Sequence, residues 1–388
     1  MKFDYLPITS VATIISGGTP KTSMSEYWNG NIPWLSVKDF NNGSKFVYST
    51  EKHITELGLK NSSTNLLRAD DIIISARGTV GEMAMIPFDM AFNQSCFGIR
   101  ANIEKILPDY LYYALKNNIQ TIKSSTHGSV FDTITLKDFD VIKLPVPDLE
   151  TQKKIVRILS ALDQKIELNN RQNRIIEEEA SILIRKYNNY EKGTTKLKEV
   201  MSFDNGFAFK SKDYVNTGKY KVVTIKNVQD GLIDSSSAQF VTNYPKDMRD
   251  YHKLSVGDVL LSLTGNVGRV GIVFEENLLL NQRVAKMKPK DKSILPFLYF
   301  FFRQGDFKQK LEALAKGTAQ LNLSPVETLN EKIAYSEQSA LELSNRLKPF
   351  FEKIVLNSQN NKTLSSVRDS LLPRLISGEI NLDKVTIQ

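Results

Sequence analysis

Two long stretches with helical periodicity, at about residues 150–187 and 338–375, constrain the fold of this 388-residue chain more than any other feature. In each stretch the spacing of apolar residues alternates between four and three, as in the seam of a two-stranded coiled coil. The two seams are Ile155, Leu159, Leu162, Ile166, Asn169, Asn173, Ile176, Ala180, Leu183 and Tyr187, and Leu343, Leu347, Phe350, Ile354, Asn357, Asn361, Leu364, Arg368, Leu371 and Leu375. A helix of about 38 residues would be roughly 57 Å long, so we expect spacers rather than core helices.

The asparagines of the two seams lie at equivalent positions, because Asn169 and Asn357, like Asn173 and Asn361, are 188 residues apart. An asparagine in an apolar seam costs stability but fixes the register and the partner of a helix. The sequence therefore favours packing of the two helices on each other. If a two-fold axis across the helices relates the halves, the helices run antiparallel, and Asn169 approaches Asn357 near the midpoints. The alternative is that each helix lies alone on a globular core, with its asparagines at a solvated edge.

The repeat extends beyond the helices, so the chain is a tandem duplication of a globular segment followed by a helix. Residues 36–38 match residues 224–226, and residues 92–94 match residues 280–282, both at a distance of 188. We predict an α+β fold, in which two mixed globular domains are joined and separated by two long antiparallel coiled-coil helices. The predicted boundaries are 1–149 for the first domain, 150–190 for the first helix, 191–335 for the second domain, 336–376 for the second helix and 377–388 for a C-terminal tail that packs near the N-terminus.

Each globular segment also contains a buried-strand pattern that leads into two glycines three residues apart, in residues 71–81 and 258–268. A tight turn of a β-hairpin accounts for this pattern. The GxxG loop of an RNA-binding KH domain is the weaker alternative, because that loop joins two helices. Helical periodicity with apolar aromatic residues predicts further helices at about residues 110–123 and 297–315.

The charge, the cysteine and histidine content and the absence of known motifs restrict the possible functions of the chain. A net charge of +8 indicates a polyanionic partner, of which nucleic acid is the first candidate. The single cysteine, Cys96, and the three histidines lack metal-ligand spacing, so we predict no metal site. The sequence contains no P-loop, dinucleotide fingerprint or Asn-Pro-Pro-aromatic motif, so we expect no cofactor and no catalytic activity of the chain itself. Without a signal-peptide or membrane-spanning pattern, we expect a cytoplasmic protein with no membrane partner.

Candidate DNA-binding residues divide into those that the two halves share and those that differ. Shared lysines suit phosphate contacts, which are independent of DNA sequence. The shared Asn-Gln pairs, at residues 93–94 and 281–282, fit turn-stabilising amides better than base contacts. Base readers should be polar residues that differ between the halves, and arginine to guanine is the commonest specific contact. The candidates are the lysines Lys21, Lys38, Lys210 and Lys226, the turn residues Thr79 and Asn266, and the arginines Arg77, Arg269 and Arg283.

Three runs of residues carry a resemblance to a known family. They are the motif Ile15-Ser16-Gly17-Gly18-Thr19-Pro20-Lys21, the run Tyr27-Trp28-Asn29-Gly30-Asn31-Ile32-Pro33-Trp34 and the C-terminal run Leu372-Pro373-Arg374-Leu375-Ile376-Ser377-Gly378-Glu379-Ile380. Together with the duplication and the helices, they resemble the specificity (S) subunit of Type I restriction-modification systems over essentially the whole chain. The second half departs from the N-terminal motif, since Gly206-Phe207-Ala208-Phe209-Lys210 replaces Gly-Gly-Thr-Pro-Lys. A different DNA target is therefore expected for that half.

The resemblance implies a non-catalytic, DNA-binding subunit. In that family two target recognition domains each read one half of a bipartite site in double-stranded DNA, and two conserved helices set the spacing between the halves. S subunits bind modification (M) subunits, which use S-adenosylmethionine to methylate adenine, and restriction (R) subunits, which add ATP-driven translocation and cleavage. Two alternatives remain from the sequence: a free-standing bipartite DNA-binding regulator without methyltransferase partners, and a coiled-coil assembly protein without a DNA role.

Overall fold

The computed structural model describes residues 3–40, 43–125, 133–191, 193–317, 320–380 and residue 382. The chain divides into two compact units, residues 1–167 with 363–388 and residues 168–362. We call the globular part of the first unit, residues 3–148, lobe 1, and that of the second unit, residues 193–336, lobe 2. Each long helix contributes one part to each unit. The domain boundaries given above stay a prediction.

In the described residues of lobe 1, ten strands form three sheets. The strands are β1 (Asp4–Pro7), β2 (Ala12–Ser16), β3 (Trp28–Leu35), β4 (Lys52–Ile54), β5 (Leu66–Leu67), β6 (Ile72–Ser75), β7 (Met83–Met85), β8 (Met90–Phe92), β9 (Cys96–Ala101) and β10 (Lys143–Val146). A two-stranded sheet pairs β1 with β10, and two four-stranded sheets have the orders β2-β9-β6-β7 and β4-β3-β8-β5. The helices are α1 (Ile8–Val11), α2 (Val37–Phe40), α3 (Glu56–Lys60), α4 (Pro108–Ser125) and α5 (Asp138–Val141).

Lobe 2 repeats this arrangement. Its strands are β11 (Thr194–Lys196), β12 (Met201–Asn205), β13 (Tyr220–Val223), β14 (Gly231–Leu232), β15 (Gln239–Val241), β16 (Lys253–Leu254), β17 (Val259–Ser262), β18 (Val270–Ile272), β19 (Leu278–Leu280), β20 (Val284–Pro289) and β21 (Lys332–Ala334). The sheet orders β11-β21, β12-β20-β17-β18-β14 and β15-β13-β19-β16 match those of lobe 1, with β14 as an additional edge strand. The predicted mixed fold and its duplication are therefore confirmed.

The two central hairpins confirm the interpretation of the paired glycines. β6 pairs with β7 and β17 pairs with β18, both antiparallel. All residues of β6 and of β17 are buried, which explains their continuous apolar runs. Gly78 and Gly81 have φ angles of 77° and 85°, and Gly265 and Gly268 have 72° and 78°. These left-handed conformations favour glycine, because a Cβ atom at such a φ is strained.

The helices of lobe 2 differ from the prediction in one respect. They are α7 (Leu197–Val200), α8 (Leu295–Phe302), α9 (Gly305–Leu314) and α10 (Pro325–Asn330). The single helix predicted at residues 297–315 is thus divided between α8 and α9. The buried side chain of Gln304 lies at the break and donates to the carbonyl of Phe300 at 3.0 Å. In lobe 1 the predicted helix at residues 110–123 is present as α4.

The two long helices are α6 (Leu149–Tyr190) and α11 (Glu337–Ile376). Every seam position predicted from the sequence is buried or half-buried. In the second unit the Nδ2 of Asn169 donates to the Oδ1 of Asn361, and the Nδ2 of Asn357 donates to the Oδ1 of Asn173, each at 2.8 Å. Because residue numbers rise in one helix as they fall in the other, the helices run antiparallel there. Asn357 also donates to the backbone carbonyl of Asn169 at 3.5 Å, so these two residues do approach each other.

The seam of the first unit contains a buried ion pair instead of asparagines. Arg368 donates to Asp163 at 2.7 Å, and the exposed fractions of the two side chains are 11% and 8%. Asp163 also accepts a hydrogen bond of 2.5 Å from the hydroxyl of Tyr113 in α4. Burial, followed by the charge of Asp163, raises the pKa of the Tyr113 hydroxyl. Lys45 lies 4.5 Å from the centre of the Tyr113 ring and pairs with Asp109 at 2.5 Å.

Three further observations bear on the sequence predictions. Leu382, in the predicted C-terminal tail, is buried in the same apolar cluster as Ile8 and Val11, while residues 381 and 383–388 lie outside the described part of the chain. Over the described ranges, no helix is both long and apolar enough to cross a membrane. Within the same ranges, no group of three or more His, Cys, Asp and Glu side chains is arranged for a metal ion.

Candidate nucleic-acid interface

In lobe 1 the ends of the central strands bring four loops side by side. Gly18 donates its N–H to the carbonyl of Phe92 at 2.9 Å, and Asn93 donates to the carbonyl of Leu35 at 3.0 Å. Ala76, which begins the hairpin turn, donates to the carbonyl of Ser95 at 2.8 Å. The loops that contain Lys21, Arg77 and the Asn-Gln pair, and the short helix α2 that contains Lys38, are therefore neighbours at one end of the lobe.

Close backbone contact explains the glycine of the N-terminal motif. A Cβ atom on Gly17 would lie 2.0 Å from the carbonyl oxygen of Asn93, a distance that no side chain tolerates. In lobe 2 a Cβ atom on Gly206 would lie 1.9 Å from the carbonyl oxygen of Asn281. Although the second half lacks the full motif, Gly206 keeps the position that the loop packing requires.

Lobe 2 assembles the same series of loops. Phe207 donates to the carbonyl of Leu280 at 2.9 Å, and Asn281 donates to the carbonyl of Val223 at 3.2 Å. Leu263, before the hairpin turn, donates to the carbonyl of Arg283 at 2.9 Å. The loops of Lys210, Lys226, Asn266 and Arg283 thus correspond one by one to those of lobe 1.

Most of the predicted DNA-binding residues lie on these loops, or on α2 in the case of Lys38, with exposed side chains. The exposed residues are Lys21, Lys38, Arg77, Thr79, Lys210, Lys226, Asn266 and Arg283. Arg283 has a φ of 70°, a conformation that is uncommon for a residue with a side chain. Such outliers often persist at functional sites. The DNA contacts of these residues stay a prediction.

Arg269 is the exception, because it is half-buried and already has a partner. Its Nη1 donates to the Oε1 of Gln229 at 2.8 Å, and Gln229 in turn donates to the carbonyl of Lys226 at 2.8 Å. The guanidinium therefore ties the hairpin turn to the loop of Lys226. The sequence did not indicate Gln229, because the pairing joins residues 40 positions apart.

The Asn-Gln pairs contribute to the turns. The Oδ1 of Asn93 accepts a hydrogen bond of 3.1 Å from the N–H of Ser95, and Thr19 donates to the Oε1 of Gln94. In lobe 2 the Nδ2 of Asn281 donates to the hydroxyl of Tyr214 at 3.2 Å. The amides of Asn93, Gln94 and Asn281 thus hold loops together, as the prediction of turn-stabilising amides requires.

The structure adds one segment that the sequence analysis did not select. Residues 320–323 lie against the hairpin turn of lobe 2, where Gly265 donates to the carbonyl of Leu321 at 3.1 Å. The lobes share one contact of this segment, because Leu323 donates to the carbonyl of Leu263 at 2.7 Å and the equivalent Ile134 of lobe 1 donates to the carbonyl of Ala76 at 3.0 Å. The sequence could have indicated this segment as part of the repeat. Residues 127–135 and 316–324 share a glycine and several hydroxyl or apolar positions at an offset of 189.

In chemical terms each lobe presents exposed cations and amides on loops held by buried strands. Lysine and arginine provide sequence-independent attraction to phosphates, and arginine and glutamine can bind base edges with two hydrogen bonds. The backbone bonds that hold the loops are shared by the lobes, while the exposed side chains differ. This combination suits two related surfaces that read different DNA sequences.

Known proteins share this organisation. The sequence model of the family "Type I restriction modification DNA specificity domain" matches the chain twice, over residues 2–178 and 189–364. The Type I restriction enzyme MjaIX specificity subunit of Methanocaldococcus jannaschii is 27% identical over 421 residues, covering 99% of this chain and 94% of the relative. The Type I restriction enzyme EcoR124I/EcoR124II specificity subunit of Escherichia coli is 36% identical over 155 residues, covering 38% of this chain and 37% of the relative.

A solved structure agrees in fold. The S subunit of a Type I restriction-modification system from M. genitalium superposes with a TM-score of 0.57 at 15% sequence identity, covering 97% of this chain and 96% of that chain. The comparisons favour a specificity subunit over a free-standing regulator. With two matched domains over most of its length, the chain belongs to the family of Type I restriction-modification specificity (S) subunits.

Proposed function

We propose that the chain directs a Type I restriction-modification complex to a bipartite DNA site, lobe 1 binding one half-site and lobe 2 the other. The observation that carries this proposal is the duplicated series of loops, whose backbone contacts are the same in both lobes. The exposed residues differ, because Arg77 of lobe 1 aligns in the repeat with Thr264 of lobe 2, and Ser95 aligns with Arg283. Lys21, Lys38, Lys210 and Lys226 would contact phosphates, and Arg77 and Arg283 would contact bases. The long helices would set the number of base pairs between the half-sites, with the four seam asparagines fixing their register.

In this proposal the chain itself catalyses no reaction. M subunits would supply S-adenosylmethionine-dependent adenine methylation, and R subunits would supply ATP-driven translocation and DNA cleavage, in the compartment that holds the host DNA. The support is the membership of the chain in the S-subunit family.

An apolar stripe on α6 is a docking surface for an M subunit in this proposal. Leu168, Ile175 and Ile182 repeat every seven residues, and 49%, 46% and 57% of their surfaces are exposed. The charged residues Glu178 and Arg185 flank the stripe in a shallow groove. Heptad spacing of apolar residues beside charges is the surface that a further helix packs against in a coiled coil, and we assign that helix to the M subunit.

Replacing Leu168, Ile175 and Ile182 together by serine is expected to weaken binding of the M subunit at least about 10-fold, because apolar contact area is lost. The measurement is a titration of purified S subunit with M subunit by light scattering or calorimetry. The matched control is Leu168→Met, Ile175→Leu and Ile182→Leu, which keeps the apolar area and should keep the affinity. Equal affinity of the serine variant would contradict the docking assignment.

Methylome sequencing tests the proposed function as a whole. Deleting the gene from the host is expected to abolish adenine methylation at one bipartite motif, and returning the wild-type gene is expected to restore it. A strain complemented with Arg77→Ala should lose or relax specificity at one base pair of one half-site only, by about 1–3 kcal/mol in discrimination. If no bipartite motif disappears on deletion, the proposal is wrong.

A further inference from the structure

The hairpin turn of lobe 2 is flanked by a different loop on each side. On one side Leu263 donates to the carbonyl of Arg283 at 2.9 Å, and on the other Leu323 donates to the carbonyl of Leu263 at 2.7 Å. The segment that precedes Leu323 therefore occupies the same end of the lobe as Arg283. Any DNA that contacts Arg283 and the turn lies beside this segment as well.

Described residues on both sides of Gln320 are held together by backbone hydrogen bonds. Lys316 and Asn322 exchange two backbone hydrogen bonds, of 3.0 and 2.9 Å. Gly317 has a φ of 132°, and a Cβ atom on it would lie 2.3 Å from the carbonyl oxygen of Gln320. The base of the loop is also tied to α10, because the Nζ of Lys316 pairs with Glu327 at 2.5 Å. These contacts fix where Gln320 and Asn322 stand relative to the turn.

The side chain of Asn322 fastens the loop to the turn. Its Oδ1 accepts a hydrogen bond of 2.8 Å from the hydroxyl of Thr264, and its Nδ2 donates to the carbonyl of Gln320 at 3.2 Å. Asn322 is therefore a positioning residue, with both functional atoms of its amide already bonded within the lobe.

Gln320 is placed differently. Its side chain is exposed, and its Nε2 lies 3.4 Å from where a Cβ atom on Gly265 would be, directly over the turn. Across the described parts of the chain, its side-chain amide has no hydrogen-bond partner. A glutamine amide offers one donor and one acceptor at the spacing of adenine N7 and N6, and this pair is a bidentate contact in the major groove.

We propose that Gln320 is a specificity-determining residue of lobe 2, which reads an adenine of the second half-site while Asn322 and Thr264 hold its loop. The inference rests on the proposed function. The sequence supports a role in one half only, because the repeat at offset 189 has Phe131 where lobe 2 has Gln320. A residue that differs between the halves can distinguish two targets, whereas a shared residue cannot.

The test uses the assembled complex of S and M subunits and the bipartite site found by methylome sequencing of the wild type. Binding is measured on duplexes in which each base pair of both half-sites is replaced in turn. Gln320→Ala is expected to reduce discrimination at one A·T pair of the second half-site by about 10- to 100-fold. Every position of the first half-site should keep its wild-type discrimination. Gln338→Ala, at an exposed glutamine of α11, is the matched control and should change nothing.

A second pair of variants tests the positioning role. Thr264→Val removes the hydroxyl that bonds Asn322 and should reduce discrimination at the same base pair, whereas Thr264→Ser keeps the hydroxyl and should restore it. Unchanged discrimination in Gln320→Ala, or an equal loss at every position, would overturn the assignment of Gln320. If the wild-type complex itself binds no bipartite site, the proposed function fails instead, so the two failures are distinguishable.

Discussion

Replacing Arg368 by methionine is expected to lower the free energy of unfolding of the first unit by about 3–5 kcal/mol. Arg368 neutralises Asp163 inside the helix seam, where the two side chains are 11% and 8% exposed. Without the guanidinium, Asp163 would lose its paired charge and keep the hydrogen bond of 2.5 Å from the hydroxyl of Tyr113. A buried carboxylate without a counter-charge is unfavourable because desolvation is no longer offset. Urea denaturation followed by circular dichroism measures the change.

Two controls separate this effect from a general effect of substitution. Arg346→Met changes an exposed arginine of the same helix and should alter the free energy of unfolding by less than about 0.5 kcal/mol. The double variant Asp163→Leu with Arg368→Met removes both charges and should recover most of the lost stability, since apolar replacements of buried ion pairs are often neutral or stabilising. A stable single variant would mean that the ion pair contributes little to the unit.

Deleting one heptad from each long helix is expected to shorten the spacer of the DNA site by about three base pairs, since seven residues rise about 10.5 Å and a base pair about 3.4 Å. The deletions are residues 166–172 in α6 and 358–364 in α11. They leave Asn173 opposite Asn357, the pair that is bonded at 2.8 Å. Methylome sequencing of a strain carrying the deleted gene measures the spacer, and both half-site sequences should remain those of the wild type.

Deletion of residues 166–172 alone is the matched control. It removes Asn169 but leaves Asn361, whose Oδ1 then lacks its donor, and shifts the apolar seam out of alignment. We expect loss of modification at the site rather than a new spacer. If the double deletion retains the original spacer length, the helices do not set the distance between the half-sites.

Periodic patterns made much of the architecture predictable. The four-three spacing placed α6 and α11 to within a few residues, because the seam of a long helix depends only on local repeats. The hairpin turns at Gly78 and Gly265 could also be predicted from the sequence, since their φ angles of 77° and 72° favour glycine. Comparison of the halves then marked Arg77 and Arg283 as candidates, which the structure leaves exposed on corresponding loops.

Contacts between residues that are distant in the sequence could not be predicted from local patterns. Arg269 satisfied the criteria for a base reader, yet its side chain is half-buried and bonded to Gln229 at 2.8 Å. The helix predicted over residues 297–315 divides near Gln304, whose side chain accepts a hydrogen bond of 2.9 Å from Ser181 of α6. In both cases the deciding partner is remote in sequence, so the local pattern carried no signal for it.

The sequence by itself determined the duplication, the two long helices, the central hairpins and the family of the chain, because each of these depends on local spacing or on motifs. Only the tertiary structure decided which side chains are free to meet a ligand. It pairs Arg368 with Asp163, which are 205 positions apart, and it bonds Thr264 to Asn322, which are 58 positions apart. Burial and hydrogen bonding arise from the approach of distant segments, and these contacts leave the amide of Gln320 exposed over the turn of lobe 2.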